Sequence, residues 1–485
     1  MINENTTVNG IKDGGLLIGW AIEDITPDGP ASLYGQYYER ISAYVESPLK
    51  VTACAIESMD ENGVREQVIM VSMDLLCPLK ALQDKLKGAV KLLIPDFDVR
   101  KLFLNATHTH SAPYPDVESD YGKFLLQRLI QVVVLAWNQR VPAGVSPAYG
   151  YAVVGHNRRV EYADGTTEMY GDAGRKDFIG LEASVDAGVG MIYCWDANEN
   201  LTGIIMNVAC PAQVTESKYY VSADYWSEVR KQLNKSYAKD IFVLAQCGAA
   251  GDISPRDLPK KYKVGEPNMW DVPGIVEIGK RLVKTIEDFY PVAKSKIETK
   301  INFKHTVKDI EIPTRKVSEK EYSEALKISA EIHSREPKDK NSPHTAWNRF
   351  LKEVKDNEKK MQYGPWDNKN SDYGIVRKKD AVIEQYKNQA ENLFYKMELH
   401  VIRLGDIAMA SNSFELFVDY GFRITARSKA GLTFIVQLSC DYCDYLATEK
   451  ALQGGGYSAM ANPVGADGGD VLVNETVNLI NAMWE

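Results

Sequence analysis

The run Leu102-Phe103-Leu104-Asn105-Ala106 constrains the fold more than any other stretch, because of what flanks it. It reads as a buried strand running into polar residues. Upstream, Leu79 to Ile94 carries apolar residues at helical spacing, and downstream Tyr121 to Arg140 is a second amphipathic helix. A buried strand between two such helices requires layers, so the expected class is α/β, with mixed β-sheets flanked by helices. Further strands are expected at Gly19 to Pro27, Val189 to Cys194, Leu201 to Val208, Ile241 to Gln246, His400 to Leu404, Ile407 to Ser411 and Thr433 to Leu438. Leu49 to Ser58 and Gln67 to Ser72 flank Asp60-Glu61-Asn62-Gly63 and read as a hairpin around an Asn-Gly turn. Between Tyr151 and Gly174 the periodicity is lost, which predicts a long loop. After Gly274 a helix is expected to Tyr290. From Ser318 to Lys396 the composition shifts to Lys, Glu, Asn and Tyr, with breaks at Glu336-Pro337 and Gly364-Pro365-Trp366. The expectation is one catalytic-type domain over 1–485, with 318–396 as a helical insertion or lid.

Polar residues gather where the strands end. Past Ala106 come Thr107-His108-Thr109-His110-Ser111-Ala112-Pro113. Strand alternation would put His108 and His110 on one face, and the prolines at 113 and 115 would stop the strand there, at the carboxyl end where α/β sheets hold ligands. Two of only seven histidines in 485 residues sit together. Imidazole is a common metal ligand and a ready acid or base, although a pair of hydrogen-bonded structural histidines has the same sequence. Cys210, beside Pro211 at another strand end, is either a soft ligand or an ordinary buried thiol. Glu415 lies in the apolar context Phe414-Glu415-Leu416-Phe417, where a carboxylate needs a partner or a metal. Cys440 and Cys443 form a lone Cys-x-x-Cys without the second pair of a zinc ribbon. Gly454-Gly455-Gly456 is either a close backbone approach or a turn, and no Lys-Ser/Thr follows to make it a phosphate loop.

A formal net charge of -9 without a Lys/Arg stripe excludes nucleic acid as the expected partner. No apolar run approaches the roughly 20 residues of a membrane span. The start, Met1-Ile2-Asn3-Glu4-Asn5-Thr6-Thr7, lacks a basic segment followed by an apolar one, and seven scattered cysteines suit a reduced compartment, so a cytoplasmic location is expected. The partner expected is a small-molecule substrate. A homo-oligomer is compatible with this composition but is not specified by it. Twenty-six tyrosines, with Trp226, Trp270 and Trp366, offer aromatic platforms or simply packing.

Taken in order, Asp24-Ile25-Thr26-Pro27, Ala106 to Pro113, Asn157-Arg158, Gly251-Asp252-Ile253-Ser254-Pro255, Phe414-Glu415 and Asp441-Tyr442 to Tyr445 resemble the neutral/alkaline, non-lysosomal ceramidases over nearly the whole chain. The resemblance implies a zinc-dependent amidase whose metal is held by two His, one Glu and one Tyr. His108 resembles the first ligand, Glu415 the acidic one and Tyr442 the tyrosine, while His110 and Arg158 resemble the substrate-polarising pair. The sequence departs from the pattern at Cys210, where the second histidine ligand belongs. Either the thiolate binds zinc, or Gln213, Glu216 or Asp224 takes its place, or the metal is lost. The resemblance covers the catalytic domain, a counterpart of the immunoglobulin-like carboxyl-terminal domain of ceramidases is not expected, and no membrane-facing apolar helix stands out, so a small, soluble, polar substrate is expected in place of ceramide. Two other readings keep the scaffold: a metal-free hydrolase or transferase with Cys210 as nucleophile beside His108 or His110, and a noncatalytic sugar- or lipid-binding protein.

Overall fold

The computed structural model describes residues 15–59, 64–260, 269–360, 371–460 and 462–485. Its frame is a mixed eight-stranded sheet in the order Phe242–Cys247, Leu201–Val208, Gly188–Asp196, Val141–Tyr151, Leu16–Asp24, Lys50–Met59, Arg65–Met73 and Leu102–Ala106. Only the two edge strands run parallel to their neighbours. A second sheet, Phe303–Pro313, Phe394–Leu404, Ile407–Ser411 and Leu432–Val436, lies against one face of the first.

Alternation explains the layering. Ala53, Ala55, Leu102 and Leu104 point to helices Lys80–Leu93 and Asp120–Asn138. Cys54, Ile56 and Phe103 point the other way, against Ile402, Met409 and Phe434 of the second sheet. Further along the large sheet, Met191, Tyr193 and Trp195 pack on helices Tyr225–Tyr237 and Asp271–Lys294. The outer face of the second sheet is covered by Ala466–Ala482. The result is a helix, sheet, sheet, helix stack in which both sheets are buried on two sides, which is why so many strands read as unbroken apolar runs.

The hairpin strands pair antiparallel along their length, with Val51 opposite Met73. Its Asn62-Gly63 turn, the Gly364-Pro365-Trp366 break and the stretch Met1 to Thr7 lie outside the described residues. Two eleven-residue strands were not legible. Val141–Tyr151 carries two prolines and two glycines, and it pairs with Leu16–Ile18 only through Val141–Ala143. Phe303–Pro313 is an edge strand with a polar, exposed face. The expected loop between Tyr151 and Gly174 contains strands: Arg159–Tyr162 and Thr167–Met169 join Phe178–Leu181 in a small sheet, and His156–Asn157 pairs with Ile253–Ser254. Between Pro313 and Phe394 the chain leaves the second sheet through helices Glu319–Ser334, Ala346–Lys360 and Asp372–Asn388. Ser318 and Glu321 close a capping box on the first of them. No helix among the described residues is long and apolar enough to cross a membrane.

Candidate metal centre at the junction of the sheets

The carboxyl end of Leu102–Ala106 meets the segment after Leu432–Val436. Ala106 N–H donates to Leu438 O (3.2 Å), and Cys440 N–H donates to Leu104 O (2.9 Å). The junction brings one half of the site from each sheet. Gln437 ties it further, its Oε1 accepting from Ala250 N (3.1 Å) and Leu416 N (3.0 Å).

The strand stops at Ala106, so the two histidines are not brought together by strand alternation. His108 takes a left-handed backbone (φ 66), its N–H donating to Leu75 O (2.9 Å). That turn swings its ring beside His110, Nε2 to Nε2 3.4 Å. His108 Nδ1 lies 2.7 Å from Leu76 O. A carbonyl only accepts, so Nδ1 carries a hydrogen and Nε2 is the ring atom turned toward the carboxylate. That nitrogen lies 3.4 Å from Glu415 Oε2. Gln213 fixes His110 likewise. Its Oε1 accepts from Arg158 Nη1 (3.1 Å), leaving the amide N–H to donate to His110 Nε2 (2.6 Å).

Arg158 is fully buried. Nη2 donates to Gly251 O (2.9 Å) and reaches Glu415 Oε2 and Tyr445 OH at 3.4 Å each. Nη1 also reaches Tyr170 OH (3.2 Å). Burial works against its charge, but Tyr170, Tyr445 and Glu415 more than offset that and raise its pKa. Burial likewise pushes the Glu415 carboxyl up, and His108, Arg158 and Tyr445 reverse this, holding it below the usual range. Tyr442 OH donates to Glu415 Oε1 (3.0 Å), and burial, with the Glu415 and Asp444 carboxylates, pushes this phenol well above its ordinary pKa.

The segment Gly251-Asp252 is a clamp for these groups. Asp252 Oδ1 and Oδ2 accept from Val418 N and Asn157 Nδ2 (2.8 Å each), and Asp252 O accepts from Arg158 N (2.8 Å). A Cβ on Gly251 would stand 2.3 Å from Glu415 O, so only glycine permits this approach. Asp24-Ile25-Thr26-Pro27 is a turn away from the site, in which Asp24 accepts from Thr26 N and Thr26 Oγ1 from Leu49 N.

His108, His110, Arg158, Glu415 and Tyr442 thus converge. Cys210 does not join them among the described residues. Its buried thiol donates to Val154 O (3.4 Å) and Pro211 O (3.6 Å), in an apolar cluster with Tyr225 and Trp226. Burial, then Cys247 and Asp224, pushes its pKa well up, which disfavours a free thiolate nucleophile there. Gln213 reaches His110 from the same turn. Asp224 instead holds that turn, accepting from Thr215 N and Tyr225 N (2.9 and 2.8 Å).

Sequence reasoning missed Tyr170, Tyr445 and Tyr457. Tyr457 stands edge-on to Tyr445 (5.6 Å) and to Tyr37 (5.7 Å). The repeated tyrosines at 442 and 445 were the available signal. Trp226 and Trp270 are buried in packing, and Trp366 lies outside the described residues. The triple glycine is a turn: Gly455 and Gly456 have φ 77 and 85, and Gly455 O accepts from Arg159 Nη2 (2.9 Å).

His108 Nε2, the two Glu415 oxygens and the Tyr442 phenol thus share one buried nook beside the Arg158 guanidinium. The nitrogen and oxygen donors suit zinc, and the Leu76 carbonyl supplies the outer hydrogen bond that orients a ligating imidazole.

The class so defined is a layered α/β fold with a polar His/Glu/Tyr/Arg nest where its two sheets join. It is the fold of the neutral ceramidases. Neutral ceramidase from Pseudomonas aeruginosa superposes with a TM-score of 0.66 at 16% identity, over 97% of this chain and 75% of that one. A ceramidase complexed with C2 gives 0.67 at 14% identity, over 97% and 76%. No family model and no curated protein matches the sequence.

Proposed function

We propose that the chain is a zinc-dependent hydrolase that cleaves an amide or related bond in a small polar substrate. His108, Glu415 and Tyr442 would hold the metal. Zinc bound there supplies a Lewis acid that activates water at neutral pH. Arg158, a permanent cation locked by Gly251, Gln213 and Tyr170, is suited to polarise the scissile carbonyl. Its Nε is a buried donor with no partner among the described residues, and a substrate oxygen would give it one. His110, held by Gln213 with its lone pair at Nε2, is the group to move protons. Helix Asp372–Asn388 carries Arg377 over Tyr37 (4.7 Å) and Lys378 over Tyr457 (5.2 Å), which supports reading 318–396 as a lid that favours polar or anionic substrates.

The observation that carries this reading is the 3.4 Å approach of His108 Nε2 to Glu415 Oε2 with Arg158 and Tyr442 on the same carboxylate. Zinc is measured per chain on protein purified without chelator, and amine release is followed on a panel of short N-acyl amides. His108→Ala should lose one equivalent of zinc and all turnover, whereas His110→Ala should keep the zinc and lose turnover. Full zinc in His108→Ala refutes the reading. Cys210→Ala decides the remaining ligand: retained zinc leaves that position to water, and lost zinc gives it to the thiolate. The metal-free Cys210 mechanism has less support, because no imidazole contacts that thiol among the described residues.

A further inference from the structure

On the other side of the edge strand Leu102–Ala106 lies a second polar cluster. Glu398 and His400 stand on Phe394–Leu404, and Cys440 follows Leu432–Val436. One ligand-type atom from each of the three lies within 4.8 Å of the other two, the one such His/Cys/Asp/Glu trio among the described residues. Glu398 and Cys440 line an open cavity of about 840 Å³ together with Gln83, Lys87 and Arg100.

The hydrogen bonds around His400 require a positive charge at this point. Gln67 O lies 3.0 Å from His305 Nδ1 and can only accept, so that nitrogen carries the hydrogen. In a buried neutral ring His305 Nε2 is then the acceptor, and His400 Nδ1, 3.0 Å away, must donate to it. His400 is left with a lone pair at Nε2, aimed at Glu398 Oε1 at 2.8 Å. Two acceptors at that distance repel unless a proton or a metal ion lies at them. Lys87 Nζ, 2.5 Å from the same oxygen, shows that the position already draws a cation. Cys440 adds a sulfur, held in a left-handed turn (φ 68) by its N–H to Leu104 O. It is not paired with Cys443; both thiols are free and belong to different apolar clusters.

We propose that Glu398, His400 and Cys440 form a second metal site, separate from the His108 centre, that binds a zinc-class divalent ion with its open position toward the cavity. Nitrogen, sulfur and carboxylate donors with an outer imidazole relay are the composition such ions select. Lys87 is the resident competitor that the ion displaces from Glu398.

The test uses the full chain, stripped with chelator and titrated with cobalt(II), because only a cysteine ligand gives a thiolate-to-cobalt charge-transfer band in the near ultraviolet. The parent protein should show that band. Cys440→Ser should abolish it, and Cys210→Ala and His108→Ala should keep it. His400→Gln, which leaves the thiol in place, should weaken cobalt binding roughly tenfold or more, and Lys87→Met should tighten it. No band with excess cobalt on the folded parent protein overturns the proposal. So does a band that survives Cys440→Ser in a Cys210→Ala background, or one lost in Cys210→Ala alone, which assigns the sulfur to the first site. Because His108→Ala removes the first metal and leaves this one, failure of either site is read separately.

Discussion

Replacing Arg159 by methionine probes the brace behind the candidate site. Arg159 is fully buried and its Nε and Nη2 meet Glu182 side by side at 2.6 and 2.9 Å. Nη1 donates to Ser458 Oγ (2.9 Å), and Nη2 also reaches Ala451 O (3.2 Å) and Gly455 O (2.9 Å). Methionine fills much of the volume but strands the Glu182 carboxylate, and breaking a buried pair in that way costs about 3–5 kcal/mol. The three other acceptors lose bonds worth about 0.5–1.5 kcal/mol each. Water at the freed positions recovers part of that, so a net loss of roughly 5 kcal/mol is expected, a large share of the 5–15 kcal/mol typical of a domain. Urea unfolding followed by tryptophan fluorescence measures it. A cycle with Glu182→Gln separates the pair from the packing: the double variant should be more stable than the sum of the single losses predicts, by roughly 2–3 kcal/mol. An Arg159→Met loss below about 1 kcal/mol, or strict additivity in the cycle, would refute the reasoning.

Gly251→Ala forces a methyl to 2.3 Å from Glu415 O, so the Glu415 backbone must move. Stability should fall by roughly 2 kcal/mol or more and zinc affinity should fall with it, by calorimetry; an unchanged zinc isotherm contradicts the clamp. Asp224, whose pKa burial raises to about 7, is neutral-preferring in the fold and ionises near 3.8 when unfolded. The native state therefore binds the extra proton between those values, and stability should fall as pH rises from about 4 to about 7, by up to about 4 kcal/mol. Asp224→Asn should flatten that slope in urea titrations at several pH values, and an unaltered slope assigns the proton elsewhere. Cys210→Ala removes one buried sulfur and should cost about 1–2 kcal/mol without disturbing Gln213 or His110, as a Tm series would show.

The layered α/β class was legible because strands buried on two faces are apolar at every position, as in Leu102–Ala106, and because the covering helices carry a clear 3.6-residue period. Val141–Tyr151 was not legible, since its prolines and glycines contradict strand propensity and long-range pairing with Gly188–Asp196 overrides it. Individual site residues stood out where chemistry conflicts with surroundings, as for Glu415 between phenylalanine and leucine. Their mutual geometry did not, because it depends on φ 66 at His108, which no periodicity signals. Gln213, Glu216 and Asp224 were the three substitutes for Cys210 in the sequence; only the fold sets Gln213 on His110, uses Asp224 to cap a helix and turns Cys210 to a carbonyl.

Both polar clusters hang on one edge strand, and the reason is electrostatic as much as topological. A sheet interior cannot hold charged side chains, so they collect where a strand ends or where a β-strand meets the joint between sheets. Leu102–Ala106 does both: His108 leaves its carboxyl end, while Leu104 O accepts from Cys440 N and Leu104 N–H donates to Gln83 Oε1 beside Glu398. In each cluster a backbone carbonyl sets the histidine's free nitrogen, directly from Leu76 for His108 and through His305 from Gln67 for His400. A carbonyl cannot be titrated, so the lone pair stays in place at any pH at which the rings are neutral. An imidazole nitrogen fixed opposite a carboxylate calls for a proton or a metal ion between them. The fold builds that arrangement twice within one joint, once walled in by tyrosines and Arg158 and once facing an open cavity with a lysine at its lip.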